Sequence, residues 1–172
     1  MYKQTDFDNY AVKHTGIGSN ILHDYQNFQS VGGGFESSVT PSIDSPGGTV
    51  KAGLSMVDVM DYVRGKGTEI QTINTGMAAS MGSVLLGAGS KGMRSSLRFS
   101  RTMLHQSSGG AGGNIQDARI TMKEWEKINT ILFELLGGYC GKSPKQVAED
   151  ASRDLWLNSK EALDYGIIDE IL

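Results

Sequence analysis

The sequence has few cysteines, few prolines and no long apolar run. Its 172 residues include one cysteine, Cys140, and three prolines. A single thiol excludes an internal disulfide and a metal site built from several thiolates. No stretch approaches the roughly 18 apolar residues of a transmembrane helix, and the polar amino terminus lacks the apolar core of a secretory leader. These absences favour a cytoplasmic protein with no membrane association.

An excess of positive charge is also missing. The chain has 16 Lys and Arg against 19 Asp and Glu, which gives a net charge of −3 with histidine neutral. Proteins that bind nucleic acid usually carry a basic patch or stripe, so the charge balance argues against a nucleic-acid partner. The length fits a single domain.

Glycine is abundant, with 23 residues, and it marks a division of the chain. Residues 1–43 are polar and weakly periodic, with a possible short helix around residues 20–25 and three consecutive glycines at 32–34. Such composition is typical of flexible segments. We therefore expect an N-terminal extension of low order over 1–43 and a folded domain over 44–172.

The domain alternates between helical and strand-like patterns. Apolar spacing predicts a helix over 51–64, alternation predicts a strand over 69–73, and a second helix should begin near Ala79. Short strand-like runs follow at Leu97 and at Met103–Leu104. Alternating elements with short connections indicate an α/β fold.

The longest amphipathic pattern runs over residues 114–138. An apolar stripe at spacings of three and four predicts a helix that ends at Gly137–Gly138. Ser143–Pro144 has the residues preferred at a helix start. A small helix over 159–164 and a last strand over 167–172 complete the prediction.

Ser80 is the first candidate for chemistry. It lies among small residues between a predicted strand and a predicted helix, where backbone N–H groups can stabilise a developing oxyanion. A serine hydroxyl needs a base. His14 and His23 fall in the extension, whereas His105 follows an apolar pair and precedes a glycine-rich loop. Tight packing for Ser80 and a core position for His105 are the alternatives.

The residues alone leave three further features open. A third group that orients the imidazole could be any of five aspartates: Asp117, Asp150, Asp154, Asp164 and Asp169. The turn at 45–48 could offer backbone N–H groups to an anion. The glycine-rich loop at 109–113 could pair with a peptide or serve as a linker into the long helix.

Four segments in order resemble the motifs of the ClpP family, the proteolytic subunit of the Clp protease. They are the residues 44–50, 76–82, 101–106 and 152–156. The spacings of 25 residues from Ser80 to His105 and 49 from His105 to Asp154 also agree with the family pattern.

The resemblance implies a ClpP/crotonase-like superhelical fold with a protruding handle helix over 114–138. It also implies a serine endopeptidase without cofactor or metal. By the matching motifs, Ser80 is the nucleophile, His105 the general base and Asp154 the acid. The backbone N–H groups of Gly48 and Met81 would form the oxyanion hole.

The resemblance further assigns substrate binding to the loop at Gly109 and Gly110, with unfolded proteins and peptides as substrates. It implies a tetradecamer of two stacked heptameric rings and an AAA+ unfoldase partner such as ClpX.

The chain differs from the family pattern ahead of the first motif. The junction at 40–44 resembles an internal deletion of a segment that helps to dock the unfoldase, and Pro41 argues against a central strand there. The missing segment leaves open a catalytically impaired subunit or truncated remnant with an assembly role. A crotonase-type acyl-CoA enzyme is a separate alternative, because it has the same superfold.

Overall fold

The computed structural model describes residues 38–172. The short helix expected around residues 20–25 lies outside this range, as do His14, His23 and most of the expected extension.

The described range contains both helices and strands in alternation, which confirms the α/β prediction. Its helices are α1 Val50–Arg64, α2 Met81–Gly87, α3 Ile115–Cys140, α4 Pro144–Asp150 and α5 Ser159–Tyr165. Its strands are β1 Ser38–Val39, β2 Ser42–Ser45, β3 Glu69–Ile70, β4 Thr72–Ala79, β5 Arg94–Ser96, β6 Arg101–Leu104, β7 Leu155–Asn158 and β8 Glu170–Ile171.

Strand β4 organises the main sheet. Its first half pairs with β5 and its second half with β6, while β2 runs along its other side. These pairings are parallel, and β7 is antiparallel to β6. Strand β8 pairs with β5, and β1 and β3 form a separate parallel pair. The carboxyl ends of β2, β4 and β6 therefore lie at one edge of the sheet.

The expected domain boundary at residue 43 falls inside this sheet. Strand β2 includes Ile43, whose side chain is buried in the core, and β1 pairs with β3. The packed domain thus extends back at least to Ser38. Pro41 precedes β2, which pairs with β4 alone among the described strands. Proline is tolerated at such an edge because no second neighbouring strand requires a backbone N–H from it.

The long helix α3 runs past its predicted end. It continues to Cys140 and stops at Gly141, which adopts the left-handed conformation with φ of 66°. Gly137 is instead needed for packing, because a Cβ there would lie 2.8 Å from the Lys142 carbonyl oxygen. The prediction that Gly137–Gly138 ends the helix is therefore wrong.

Only the second half of α3 packs into the core. Leu132 and Leu136 are buried, whereas Ile115 is 73% exposed and Ile120 is 67% exposed. No residue of α3 before Leu132 is buried. The first half therefore extends away from the domain, as expected for a protruding helix. Among the described residues, no helix has the length and apolar composition to cross a membrane.

Candidate active site

Ser80 occupies a strained turn between β4 and α2. Its φ of 55° makes it the one residue other than glycine with a positive φ in the described range. The backbone is held on both sides: Ser80 N–H donates to Met103 O at 2.9 Å, and Ser83 N–H donates to Ser80 O at 3.0 Å. Strained conformations persist where neighbours fix them in this way. The turn presents the hydroxyl as a nucleophile elbow does, without that motif's sequence.

The sheet brings residues distant in sequence to Ser80. Ala79 is in register with Met103, so the residues that follow β4 and β6 emerge side by side. His105 directly follows β6. Asp154 directly precedes β7, whose first residue Leu155 is in register with Leu104. Because β7 is antiparallel to β6, its amino end lies at the same edge as the carboxyl ends of the parallel strands.

The imidazole of His105 contacts the hydroxyl of Ser80. Nε2 of His105 lies 2.8 Å from Oγ of Ser80, a normal hydrogen-bond distance. With the ring proton on Nδ1, Nε2 accepts from the Ser80 hydroxyl. The ring can then take the proton of that hydroxyl, as general bases do.

Asp154 faces the other ring nitrogen at longer range. Its Oδ1 lies 3.5 Å from Nδ1 of His105, and the carboxylate is 61% exposed, against 22% for the histidine side chain. A carboxylate that faces Nδ1 in this way can keep the ring proton on that nitrogen. The length and exposure mean that solvent screens the interaction.

The other four aspartates considered from the sequence have different roles. Asp169 is bound by Arg94, Asp150 accepts from the Tyr165 hydroxyl, and Asp117 accepts from Asn114 at the start of α3. Asp164 lies on the exposed face of α5. Asp154 is the one of the five that the structure places beside His105.

The turn after β2 packs directly on Ser80. A Cβ at Gly47 would lie 2.6 Å from Ser80 Cβ and 2.9 Å from Ala79 O. Gly48 follows in the same turn, and Met81 is the first residue of α2, where the N–H lacks an intrahelical acceptor. Met81 thus follows Ser80 directly in sequence, and Gly48 follows the residue that packs on Ser80.

A cleft of about 560 Å³ opens beside His105 and Asp154. One wall is the glycine-rich loop, including Gly109 and Gly110, and another is the face of α3 that carries Trp125. The loop forms no strand with any described residue. The Trp125 ring lies against Gly109, where an added Cβ would be 1.4 Å from the indole.

Sequence reasoning missed a contact between α3 and this loop. Oδ1 of Asn129 accepts from both the N–H and the hydroxyl of Ser107, each at 2.8 Å. Trp125, on the same face of α3, packs on Gly109 and also lines the cleft. The spacing of Trp125 and Asn129, one helical turn apart, was the available signal.

Cys140 is a poor alternative nucleophile. Burial raises the pKa of its thiol to about 11, despite the opposing effect of Arg94 and two lysines. The thiolate is the reactive form, so little of it exists near neutral pH. Among residues 38–172 no group of three or more His, Cys, Asp or Glu side chains is placed to hold a metal ion.

A serine hydroxyl bonded to an imidazole that faces a carboxylate is the arrangement used by serine hydrolases. The comparison with known families is more specific. The family model described as Clp protease matches residues 35–172. The chain belongs to the Clp protease family, and its α/β fold is that family's fold.

Several curated relatives share nearly half of the aligned residues. The ATP-dependent Clp protease proteolytic subunit of Bacteroides fragilis is 47% identical over 130 residues, which cover 76% of this chain and 61% of the relative. The subunit of the same name from Porphyromonas gingivalis is 45% identical, with 76% and 57% covered. ATP-dependent Clp protease proteolytic subunit 2 of Thermobifida fusca is 42% identical, with 80% and 66% covered. The chain spans about three fifths of the length of these relatives.

Proposed function

We propose that this chain is a proteolytic subunit of the Clp type, a serine endopeptidase that hydrolyses peptide bonds of unfolded proteins. The observation that carries the proposal is the 2.8 Å contact between His105 Nε2 and Ser80 Oγ. Family membership supports it, as do the names of relatives that are called proteolytic subunits.

In the proposed reaction, Ser80 Oγ attacks the carbonyl carbon of the scissile bond while His105 Nε2 takes the hydroxyl proton. The C–N bond then breaks, and His105 gives that proton to the leaving amine. Water, which gives a proton to His105, then attacks the acyl-enzyme. The acid product is released, and Ser80 Oγ regains its proton from His105. Asp154 favours the tautomer with the proton on Nδ1 and stabilises the imidazolium.

The oxyanion is assigned to the backbone N–H groups of Gly48 and Met81. The close packing of Gly47 on Ser80 supports this assignment because it brings the next residue of the turn near the reacting hydroxyl. The chain of the substrate is assigned to the cleft wall at Gly109 and Gly110, because both residues line the cleft beside His105 and an extended peptide can bind along a backbone segment.

Partners and assembly follow from the same proposal. The exposed apolar residues of the first half of α3, such as Ile115 and Ile120, suit a helix that packs against other subunits. We assign the chain to a tetradecamer of two stacked heptameric rings, fed by an AAA+ unfoldase such as ClpX in the cytoplasm. Protein substrates and an ATPase are the partners; neither nucleic acid nor a membrane is involved.

The alternative of a catalytically impaired subunit requires that Ser80 and His105 are not aligned for catalysis. The contact between Ser80 and His105 weighs against it, because a displaced imidazole would not lie at hydrogen-bond distance. The crotonase-type alternative would not call for an imidazole at the serine hydroxyl, so this contact weighs against it too.

The test is cleavage of a fluorogenic peptide combined with labelling by a fluorophosphonate. We expect the parent chain to be labelled at Ser80 and Ser80→Ala to lower turnover by roughly 10⁴–10⁶-fold. Ser55→Ala is the matched control, since Ser55 lies on α1 and bonds only its own helix. Equal cleavage by the parent and by Ser80→Ala would reject the proposal.

A further inference from the structure

The segment that follows His105 is bonded on one side to the segment that carries Asp154 and on the other side to α3. Gln106 N–H donates to Ala151 O at 3.1 Å, and Gln106 Nε2 donates to Ser152 O at 3.3 Å. These bonds tie it to the segment that carries Asp154. On the opposite side, Ser107 is tied to α3 through Asn129.

The attachment to α3 has two points. Asn129 binds Ser107 through two hydrogen bonds to one amide oxygen. One turn earlier, the indole of Trp125 lies so close to Gly109 that a side chain at this position would have to displace the ring. The three loop residues 107–109 are therefore fixed along one face of the helix.

The Asp154 carboxylate is a weak restraint on the histidine by comparison. It lies 3.5 Å from Nδ1 and is mostly exposed, whereas Asn129 accepts two bonds of 2.8 Å at a half-buried position. A displacement of about 1 Å at a reacting group can lower a rate about 100-fold. The residues next to His105 along the backbone thus have a large influence on its placement.

We propose that Asn129 is a positioning residue, which sets the location of the His105 imidazole against Ser80 by holding Ser107 to α3. The inference rests on the proposed function, because it concerns the base of that reaction. Both hydrogen bonds of the Asn129 side chain go to Ser107; although Asn129 also lines the cleft, its proposed action on His105 runs through the backbone of residues 105–107.

The experiment measures the rate of Ser80 labelling by a small fluorophosphonate, which makes few contacts with a peptide site. We expect Asn129→Ala to slow labelling about 10- to 100-fold and to lower kcat for a peptide more than it raises KM. Asn129→Asp should restore most of the rate, since a carboxylate oxygen accepts both Ser107 bonds. Lys127→Ala is the control on the same helix, where Lys127 pairs only with exposed Glu124.

Hydrogen exchange at the Ser107 amide separates positioning from general loss of structure. We expect lost protection at Ser107 in Asn129→Ala, restored protection in Asn129→Asp and unchanged exchange in β4 and β6. Labelling of Asn129→Ala at the parent rate overturns the inference and leaves the proposed function standing. Slow labelling that Asn129→Asp does not restore also overturns it. A parent chain that is not labelled at all overturns both.

Discussion

Arg94 and Asp169 form a two-pronged ion pair between β5 and the segment before β8. Nε of Arg94 lies 2.7 Å from Oδ2 of Asp169, and Nη2 lies 2.6 Å from Oδ1. The Arg94 side chain is 1% exposed, and its Nη1 donates to Tyr139 O at the end of α3. The backbone N–H groups of Gly92 and Arg94 also donate to Oδ2 of Asp169, at 2.8 and 3.1 Å. One buried guanidinium therefore joins the sheet, the chain end and the long helix.

Asp169→Asn should destabilise the domain by about 3–5 kcal/mol, because it leaves the buried charge of Arg94 without its counter-charge. The measurement is the free energy of unfolding by denaturant. Lys91→Ala is the matched control: Lys91 also approaches Asp169, at 3.5 Å, but its side chain is 77% exposed, so we expect a loss below about 1 kcal/mol. Similar losses in both variants would contradict the assigned role.

The same pair predicts a dependence of stability on pH. Burial alone would raise the pKa of Asp169, but the hydrogen bonds and charge of Arg94 outweigh it and hold that pKa well below the ordinary value of 3.8. The stabilisation is therefore present above pH 3.8 and is lost as the pH falls toward the lowered folded-state pKa. Denaturant unfolding at several pH values should show the gap between the parent and Asp169→Asn narrowing only below about pH 4. A gap that is constant down to pH 2 would argue against the linkage.

Local signals in the sequence predicted most helices well. Apolar spacing predicted α1 within one residue of its observed bounds of Val50–Arg64. Ser143 caps α4 by accepting from Gln146 N–H, and Gly166 ends α5 in the left-handed conformation. These features depend on neighbours in the chain, so a single sequence carries them.

Features that depend on distant contacts were harder to predict. Strand β7 was missed because its four residues have no distinctive pattern and are ordered by pairing with β6. The role of Asp169 was open because its partner Arg94 lies 75 residues away. The φ of Ser80 is fixed by Met103 and Ser83 and is likewise absent from any local signal.

Some residues of the candidate site could likewise be predicted from the sequence, and others could not. The residues around Ser80 and His105 were predicted from type, position and motif resemblance, and the structure brings them together. Asn129 was not predicted, because a lone asparagine on a helix usually faces solvent. The proposed role of Asn129 depends on Ser107, which the loop after β6 brings to the side chain of Asn129.

Replacing Asp154 should affect activity less than replacing Ser80. A buried acid of this kind contributes about 10⁴-fold, but Asp154 is largely exposed and 3.5 Å from the ring. We therefore expect Asp154→Asn to lower kcat about 100-fold, measured with a fluorogenic peptide. Asp164→Asn, on the exposed face of α5, is the control and should leave kcat unchanged. A loss as large as that of Ser80→Ala would mean that Asp154 is held much closer during the reaction.

The Gly47 position offers a test of the turn that packs on Ser80. Gly47 has a φ of 107°, and an alanine Cβ would lie 2.6 Å from Ser80 Cβ, so either the turn or Ser80 must move. We expect Gly47→Ala to slow fluorophosphonate labelling of Ser80 at least about 100-fold.

The matched control for this prediction is Gly67→Ala. Gly67 has a similar φ of 88°, but nothing lies within 4 Å of its added Cβ. Both variants carry the backbone strain of a left-handed alanine, about 1 kcal/mol, and they differ in the contact with Ser80. Slow labelling in Gly47→Ala alone would therefore tie the turn after β2 to the reactivity of Ser80. Equal labelling rates in the two variants would mean that the turn can move away without disturbing the hydroxyl, and the assignment of Gly48 N–H as an oxyanion donor would have to be abandoned.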